Sequence, residues 1–183
     1  MIKKYKYNDI PSFTNRAGYY VTIEWAGIER TIEGYIKDFG LNLDPDFQRA
    51  HVWDENKQAK YIEYCLRGGQ SGRDLYFNCI GWNTTPGEYV IVDGKQRLEA
   101  VRKFMRNDLE IFHDGKFLKN KKPIKFEDFD DRPRLIKSSF TWHINDLKDR
   151  KAVLQWYLDL NEGGVLHTSE ELNKVKKLLA EEK

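Results

Sequence analysis

Residues 89–105 have the sequence YVIVDGKQRLEAVRKFM, which predicts a strand, a glycine turn and a helix in immediate succession. The first four residues are apolar and rich in β-branched side chains, as is typical of a buried strand. From Leu98 onward, apolar residues recur every three or four positions, which is the spacing of a helix with one buried face. Gly94 lies where the strand ends, so the sequence predicts a tight strand-to-helix turn there.

This predicted turn carries residue types that bind anions. Backbone N–H groups at the N-terminus of a helix attract phosphate, and a glycine allows a ligand to approach them closely. Lys95 and Arg97 add two cations, and the carboxylate of Asp93 is able to bind Mg²⁺ or accept a proton. The same residues also fit a plain helix start, in which Asp93 caps the helix and water solvates the charges. This stretch alone leaves both interpretations open.

The composition is that of an ordinary globular protein. The chain has 183 residues, of which 40% are hydrophobic and 33% charged, so one domain over residues 1–183 is expected. The net charge is only +2, which excludes a generally polycationic protein, and any contact with nucleic acid requires a local basic patch. Aromatic residues reach 14%, a content that suits both a core and a platform for stacking bases.

The sequence indicates neither a cysteine-based metal site nor a membrane location. Cys65 and Cys79 have spacing that fits neither a CxxC pair nor a four-ligand zinc site, so both are expected to be core thiols. No apolar segment follows the N-terminal residues as in a signal peptide, and no stretch reaches transmembrane length. A cytoplasmic protein without membrane contact is therefore expected.

Hydrophobic periodicity and turn residues predict a mixed set of elements along the rest of the chain. Further strands are expected at about residues 19–25, 75–80 and 140–144, and an extended segment at 41–47. Helices are expected at about 28–39, 54–66, 126–136 and 148–160 and from 168 onward, and a hairpin over 109–118. Strands and helices do not alternate regularly, so the expected class is α+β rather than a doubly wound sheet.

A second polar motif precedes the turn in sequence, DPDFQRAHVW at residues 44–53. Gln48 and Arg49 are neighbours, so on an extended chain they point to opposite faces, and only one faces a given ligand unless a turn intervenes. Arg49 suits bidentate binding of phosphate or carboxylate. An ion pair between Arg49 and an acidic helix, with Trp53 in the core, fits the motif as well.

A third polar motif follows the turn, NEGGVLHTSEEL at residues 161–172. Its two glycines precede a helix that Thr168 and Glu171 are expected to cap. Backbone amides exposed by the glycines suit an anion. The motif also fits a plain connection between two helices.

Taken together, the three motifs resemble the N-terminal domain of the GmrSD-type modification-dependent restriction proteins. The matching residues are DPDFQR and VW within 44–53, VDGKQRL at 92–98, and LNEGGVL followed by EL within 160–172. They occur in the order and at the spacing of that family, and the resemblance covers about residues 28–177. It implies the ParB/sulfiredoxin-like fold, a mixed sheet with surrounding helices.

The resemblance implies that the domain binds and hydrolyses a nucleoside triphosphate in systems that sense modified DNA. ATP or GTP with Mg²⁺ is the implied cofactor, and DNA, including modified DNA, is the implied partner. Asp93 would hold the metal or act as base, Gln96 would orient a water or a phosphate oxygen, and Arg49 would neutralise developing charge. The implied catalytic residues are Asp93, Gln96, Arg97 and Arg49, and the implied nucleotide-binding residues are Gly94, Lys95, Gln48, Asn161, Gly163 and Gly164.

The chain departs from the family pattern at two positions and in its extent. Lys95 replaces the first glutamine of the usual DGQQR signature, and His51 stands where an aromatic residue is common. The added charge of Lys95 either strengthens phosphate binding or marks an altered activity. Such restriction proteins often continue into an HNH nuclease, whereas this chain ends at Lys183, so no nuclease activity is expected from it.

Other functions fit the same residues. A phosphotransferase would use the same site with a different acceptor. A non-enzymatic DNA-binding, adaptor or inhibitor module, including one encoded by a phage, would keep the fold without turnover. In a third arrangement, a separate partner chain would supply the effector.

Overall fold

Four strands and five helices make up the fold within the residues that the computed structural model describes, which are 10, 13–14, 18–48, 53–81, 88–115, 122–132, 138–162 and 169–182. The strands are β1 (Tyr19–Glu24), β2 (Asp74–Cys79), β3 (Tyr89–Asp93) and β4 (Ser139–Asn145). The helices are α1 (Ile28–Phe39), α2 (Glu55–Leu66), α3 (Lys95–Met105), α4 (Arg150–Glu162) and α5 (Ser169–Glu181). Short 3-10 turns occur at Trp25–Gly27 and Phe126–Asp128.

The strands form one mixed sheet in the order β1-β4-β2-β3. β4 runs antiparallel to β1 and parallel to β2, and β2 runs antiparallel to β3. β3 is therefore an edge strand of the sheet, and it leads directly into α3 through the glycine turn. The mixed sheet and its helices confirm the predicted α+β class.

Two hydrophobic cores lie on opposite faces of the sheet. The larger one joins the sheet to α1, α2 and α3, and the smaller one joins β3 to α4 and α5. Along β3 the side chains alternate, because Ile91 packs in the larger core while Val90 and Val92 pack in the smaller one. Each of these three side chains is at most 4% exposed, which confirms the prediction of a buried strand.

Residues 41–48, the edge segment, cover the outer edge of β3. The Asn42 N–H donates to the Tyr89 carbonyl (2.7 Å), and the Ile91 N–H donates to the Asn42 carbonyl (3.1 Å). Pro45 prevents a helix here, as the sequence predicts, and the Gln48 N–H closes a turn on the Pro45 carbonyl (3.0 Å). The second polar motif thus begins alongside the strand that carries the first.

The predicted hairpin over 109–118 and helix over 126–136 differ from the structure. Residues 109–112 form a single bridge, between Ile111 and Ile124, rather than a strand. The reason is that Phe112 takes a left-handed conformation, at φ 60°, and its N–H binds the Glu63 carboxylate (2.6 Å) instead of a strand. At 126–136 the described part is mainly the 3-10 turn at Phe126–Asp128; residues 116–121 and 133–137 lie outside the described ranges.

Both cysteines are free and buried, as expected of core thiols. Burial raises the pKa of the Cys65 thiol and of the Cys79 thiol, so both stay protonated near neutral pH. No helix in the described part of the chain is long and apolar enough to cross a membrane.

Candidate functional site

The strand-to-helix turn after β3 forms at Gly94, as predicted. Gly94 has φ 100°, and its carbonyl accepts a helical hydrogen bond from the Leu98 N–H (2.9 Å). A Cβ at this position would lie 2.3 Å from Cδ2 of Leu75 and 3.3 Å from Nη2 of Arg97. Glycine alone has both the conformation and the space for this turn. Residues 93–97 are called the DGKQR turn below.

Asp93 and Arg97 pair with each other across the first turn of α3. The Arg97 guanidinium binds the Asp93 carboxylate, and the two side chains are 18% and 28% exposed. The N-cap of α3 is Gly94, which has no side chain, and Asp93 binds Arg97 instead of occupying the N-cap position. A guanidinium has five N–H donors, so Arg97 keeps donors for a second anion while it holds Asp93.

Lys95 pairs with a carboxylate that the sequence interpretation did not assign to the site. Its ammonium binds Asp44 of the edge segment, 51 positions earlier in the chain. The Asp44 N–H in turn donates to Oδ1 of Asn42 (2.8 Å). The sequence shows an acidic residue, Asp44, at the start of the DPDFQR motif. No local pattern in the sequence indicates that Asp44 contacts Lys95.

Gln48 binds the backbone of β3. Its Nε2 donates to the carbonyls of Ile91 (3.1 Å) and Val92 (2.8 Å). The amide thereby holds the edge segment against the strand that leads into the DGKQR turn. Direct contact between Gln48 and a nucleotide stays a prediction, and Arg49 and His51 lie outside the described residues.

Replacing Gln48 by leucine is expected to lower the free energy of unfolding by about 1–3 kcal/mol, because two strand carbonyls then lose their donor. Urea denaturation measures the change. The matched control is Gln70→Leu, since the Gln70 amide also donates to a backbone carbonyl, that of Gly68 (3.1 Å), but at an exposed position. That control is expected to change stability by less than about 0.5 kcal/mol. Equal effects of the two substitutions would contradict a supporting role for Gln48.

Gln96 points inward rather than toward solvent. Its residue is 8% exposed, and Oε1 accepts a hydrogen bond from the Trp53 N–H (3.1 Å). Trp53 precedes α2 and packs edge-to-face on Tyr61, with 5.6 Å between ring centroids. This contact joins the start of α3 to the start of α2. The role of Gln96 in orienting a water molecule stays a prediction.

A glycine-rich loop at residues 68–72 lies beside Arg97, and the sequence interpretation did not include it in the site. A Cβ at Gly72 would lie 3.4 Å from Cδ of Arg97, so the backbone of the loop packs on the arginine stem. The Tyr61 hydroxyl donates to the Gly72 carbonyl (2.7 Å). Burial raises the pKa of Tyr61, so its hydroxyl stays protonated and keeps this bond. The only indication of this loop in the sequence is its cluster of glycines, and such a cluster is equally typical of the end of a helix.

The third motif is described only in part. Gly163 and Gly164 lie outside the described residues, and Nδ2 of Asn161 donates to the Tyr157 carbonyl of its own helix (2.6 Å). The flanking helices nevertheless contact the edge segment at Asp46. Nη2 of Arg150 in α4 binds both Asp46 carboxylate oxygens (2.9 and 2.7 Å). Nζ of Lys174 in α5 binds the Asp46 carbonyl (2.9 Å).

The DGKQR turn offers few metal ligands of its own. Within the described ranges, no group of three or more His, Cys, Asp or Glu side chains is arranged to hold a metal ion. Mg²⁺ commonly keeps several waters and binds one or two carboxylates together with substrate phosphates. Asp93 therefore suits the role of a single protein ligand to Mg²⁺, with phosphate and water filling the other coordination positions.

One comparison with known proteins gives a match. A family model described as GmrSD restriction endonuclease, N-terminal domain, matches residues 28–181. No curated protein and no solved structure gives a significant match. The matched range contains the edge segment, the DGKQR turn and the third motif, which are the three parts of the candidate site.

Proposed function

Because the chain belongs to the family of GmrSD restriction endonuclease N-terminal domains, we propose that it binds a nucleoside triphosphate at the DGKQR turn and hydrolyses it. The family itself indicates a role related to restriction systems. The proposed nucleotide is ATP or GTP with Mg²⁺, and the proposed partner is DNA, including modified DNA. A separate effector chain is a further proposed partner.

One observation carries the proposal: two cations, a glycine turn and the N-terminus of α3 meet within five residues. Phosphate needs several donors that converge on its oxygens, and the positive end of the helix attracts its charge. The Arg97 fork suits two phosphate oxygens, and the Lys95 ammonium adds a point charge. Gln48 and Gln96 anchor the turn from two sides, through β3 and Trp53.

The same residues account for the hydrolysis we propose. Arg97 would stabilise the negative charge that develops on the phosphoryl oxygens, and Arg49 would add a second positive charge. Asp93 would hold Mg²⁺, which when bound neutralises phosphate charge and aligns the terminal phosphate. Asn161, Gly163 and Gly164 would complete the nucleotide site from the third motif.

Titration calorimetry of the full chain with ATP and with GTP, each with and without Mg²⁺, tests the proposal. Saturable binding by at least one nucleotide is expected, together with release of inorganic phosphate in the presence of Mg²⁺. Thermal unfolding followed in parallel should move to higher temperature as the nucleotide concentration rises, because a ligand of the native state stabilises it. The absence of both binding heat and a thermal shift with every nucleotide would contradict the proposal.

A DNA-binding module without turnover is the second candidate. The observation that favours the absence of turnover is that Lys95, where the family signature has a glutamine, is paired with Asp44 and is not open to a nucleotide phosphate. Such a module would bind modified or unmodified DNA without nucleotide, and its affinity would fall steeply with salt. Fluorescence anisotropy with both DNAs across a salt series, beside the phosphate-release assay, distinguishes the two candidates.

A further inference from the structure

The nucleotide-binding function proposed above assigns no role to Asp44, although its carboxylate is paired with Lys95, one of the two cations of the site. We propose that Asp44 lowers the affinity of the site for free phosphates and makes binding depend on Mg²⁺: its carboxylate competes with the phosphate groups of the nucleotide for the Lys95 ammonium. This inference rests on the proposed function, because it concerns a ligand of the same turn. Asp44 is the first residue of the DPDFQR motif, but the resemblance assigns only Gln48 and Arg49 of that motif to the site.

The position of Asp44 is set by the sheet. Its N–H donates to Oδ1 of Asn42 (2.8 Å), which makes a tight local turn. The backbone of Asn42 is itself bound to β3 on both sides, to the Tyr89 carbonyl (2.7 Å) and the Ile91 N–H (3.1 Å). The backbone of Asp44 is therefore held near the DGKQR turn by a chain of hydrogen bonds that does not involve Lys95.

The two partners differ in exposure, and this difference decides which one can move. The Lys95 side chain is 17% exposed, whereas the Asp44 side chain is 80% exposed. Water therefore solvates the Asp44 carboxylate readily when it leaves, while the lysine stays at the turn. An ion pair with so exposed a partner is weak, so an incoming phosphate is able to displace the carboxylate.

The second ion pair of the turn does not impose the same competition. Arg97 has enough donors to hold Asp93 and a phosphate together, and Asp93 is able to turn to a metal ion. The Asp44 carboxylate, in contrast, stays close to the phosphates after they displace it from Lys95, and it keeps its negative charge there. Like charges repel, and Mg²⁺ reduces the repulsion by neutralising the phosphates. Asp44 thereby makes binding depend more strongly on Mg²⁺.

The test is a double-mutant cycle in calorimetry, with wild type, Asp44→Asn, Lys95→Gln and the double variant. The ligands are ATP, GTP and inorganic tripolyphosphate, each with and without Mg²⁺ at low ionic strength. Asp44→Asn is expected to bind about three- to tenfold more tightly than wild type without Mg²⁺, as loss of a weak ion pair and of a repulsive charge predicts. In the Lys95→Gln background the same substitution is expected to tighten binding by a smaller factor, because only the repulsion between Asp44 and the phosphates is then relieved.

The control is Asp38→Asn, which removes one exposed carboxylate of α1 and has the same effect on net charge. It is expected to leave the affinity within twofold of wild type. Unchanged or weaker binding by Asp44→Asn, or equal tightening with and without Lys95, would overturn the inference. Weaker binding only with Mg²⁺ would assign Asp44 to the metal instead.

The tripolyphosphate titration separates this inference from the proposed function. If wild type binds neither ATP nor GTP but binds tripolyphosphate, the nucleotide proposal fails, and the cycle with tripolyphosphate still tests the competition at Lys95. If no ligand binds to any variant, both proposals are overturned. Tighter binding by Asp44→Asn would not follow from a purely structural role, because loss of a structural contact weakens a site.

Discussion

Replacing Gly94 by alanine is expected to lower the free energy of unfolding by about 2–4 kcal/mol. The backbone there has φ 100°, which costs energy for any residue with a Cβ. The added Cβ would also lie 2.3 Å from Cδ2 of Leu75, whose side chain is completely buried and has little room to move. Urea denaturation of wild type and variant measures the loss.

The matched control for this substitution is Gly68→Ala. Gly68 has a similar φ of 90°, but no heavy atom lies within 4 Å of the position of its Cβ. Backbone strain alone should then cost about 1 kcal/mol. Equal losses for the two variants would mean that contact with Leu75 contributes nothing, and that backbone conformation alone explains the glycine.

Replacing Arg97 by alanine is expected to weaken nucleotide binding about 10- to 100-fold, because charge-assisted hydrogen bonds to phosphate are lost. Arg97→Lys should give an intermediate affinity, since lysine keeps the charge but lacks the planar fork. Calorimetry with the nucleotide that wild type binds measures both variants. Urea denaturation in parallel confirms that each is folded.

Two controls accompany the Arg97 variants. Lys177→Ala removes an exposed cation of α5, and its affinity should stay within twofold of wild type. Loss of Arg97 also leaves the Asp93 carboxylate without its partner, so Asp93→Asn is combined with Arg97→Ala. Full recovery of affinity in that pair would show that Arg97 acts only by neutralising Asp93, and an affinity of Arg97→Ala equal to wild type would remove it from the site.

The strand, turn and helix at residues 89–105 could be predicted because the signals are local. Four consecutive apolar residues indicate a strand with both faces buried, and the structure buries them between two cores. A glycine followed by residues at helical spacing indicates the turn and α3. The α+β class follows in the same way, from elements that each have their own pattern. Gly94 was identified for the same reason, since its conformation is a property of one residue.

The partners of the site residues could not be predicted in this way. Lys95 meets Asp44 across 51 positions, and Gln96 meets Trp53 across 43. Such contacts depend on how the edge segment and α2 pack, which no local pattern records. The sequence interpretation therefore named the charged residues of the DGKQR turn but not the carboxylate that pairs with Lys95.

The wrong strand at 109–112 has a related origin. Two apolar runs on either side of a short polar turn are typical of a hairpin, but a half-buried contact with the Glu63 carboxylate decides the backbone. Because the Phe112 N–H binds Glu63 of α2, its backbone turns into the left-handed region and pairing stops after one bridge. A single long-range hydrogen bond therefore determines the backbone conformation here, against the local sequence pattern.

The covering of β3 by the edge segment also bears on how the protein behaves at high concentration. An open edge beside four buried apolar residues would be a template for intermolecular strand pairing and aggregation. Asn42 and Gln48 occupy the backbone groups of this edge. The segment that supports the candidate site thus also blocks strand pairing at the β3 edge, so substitutions in it are expected to affect both ligand binding and aggregation through this edge.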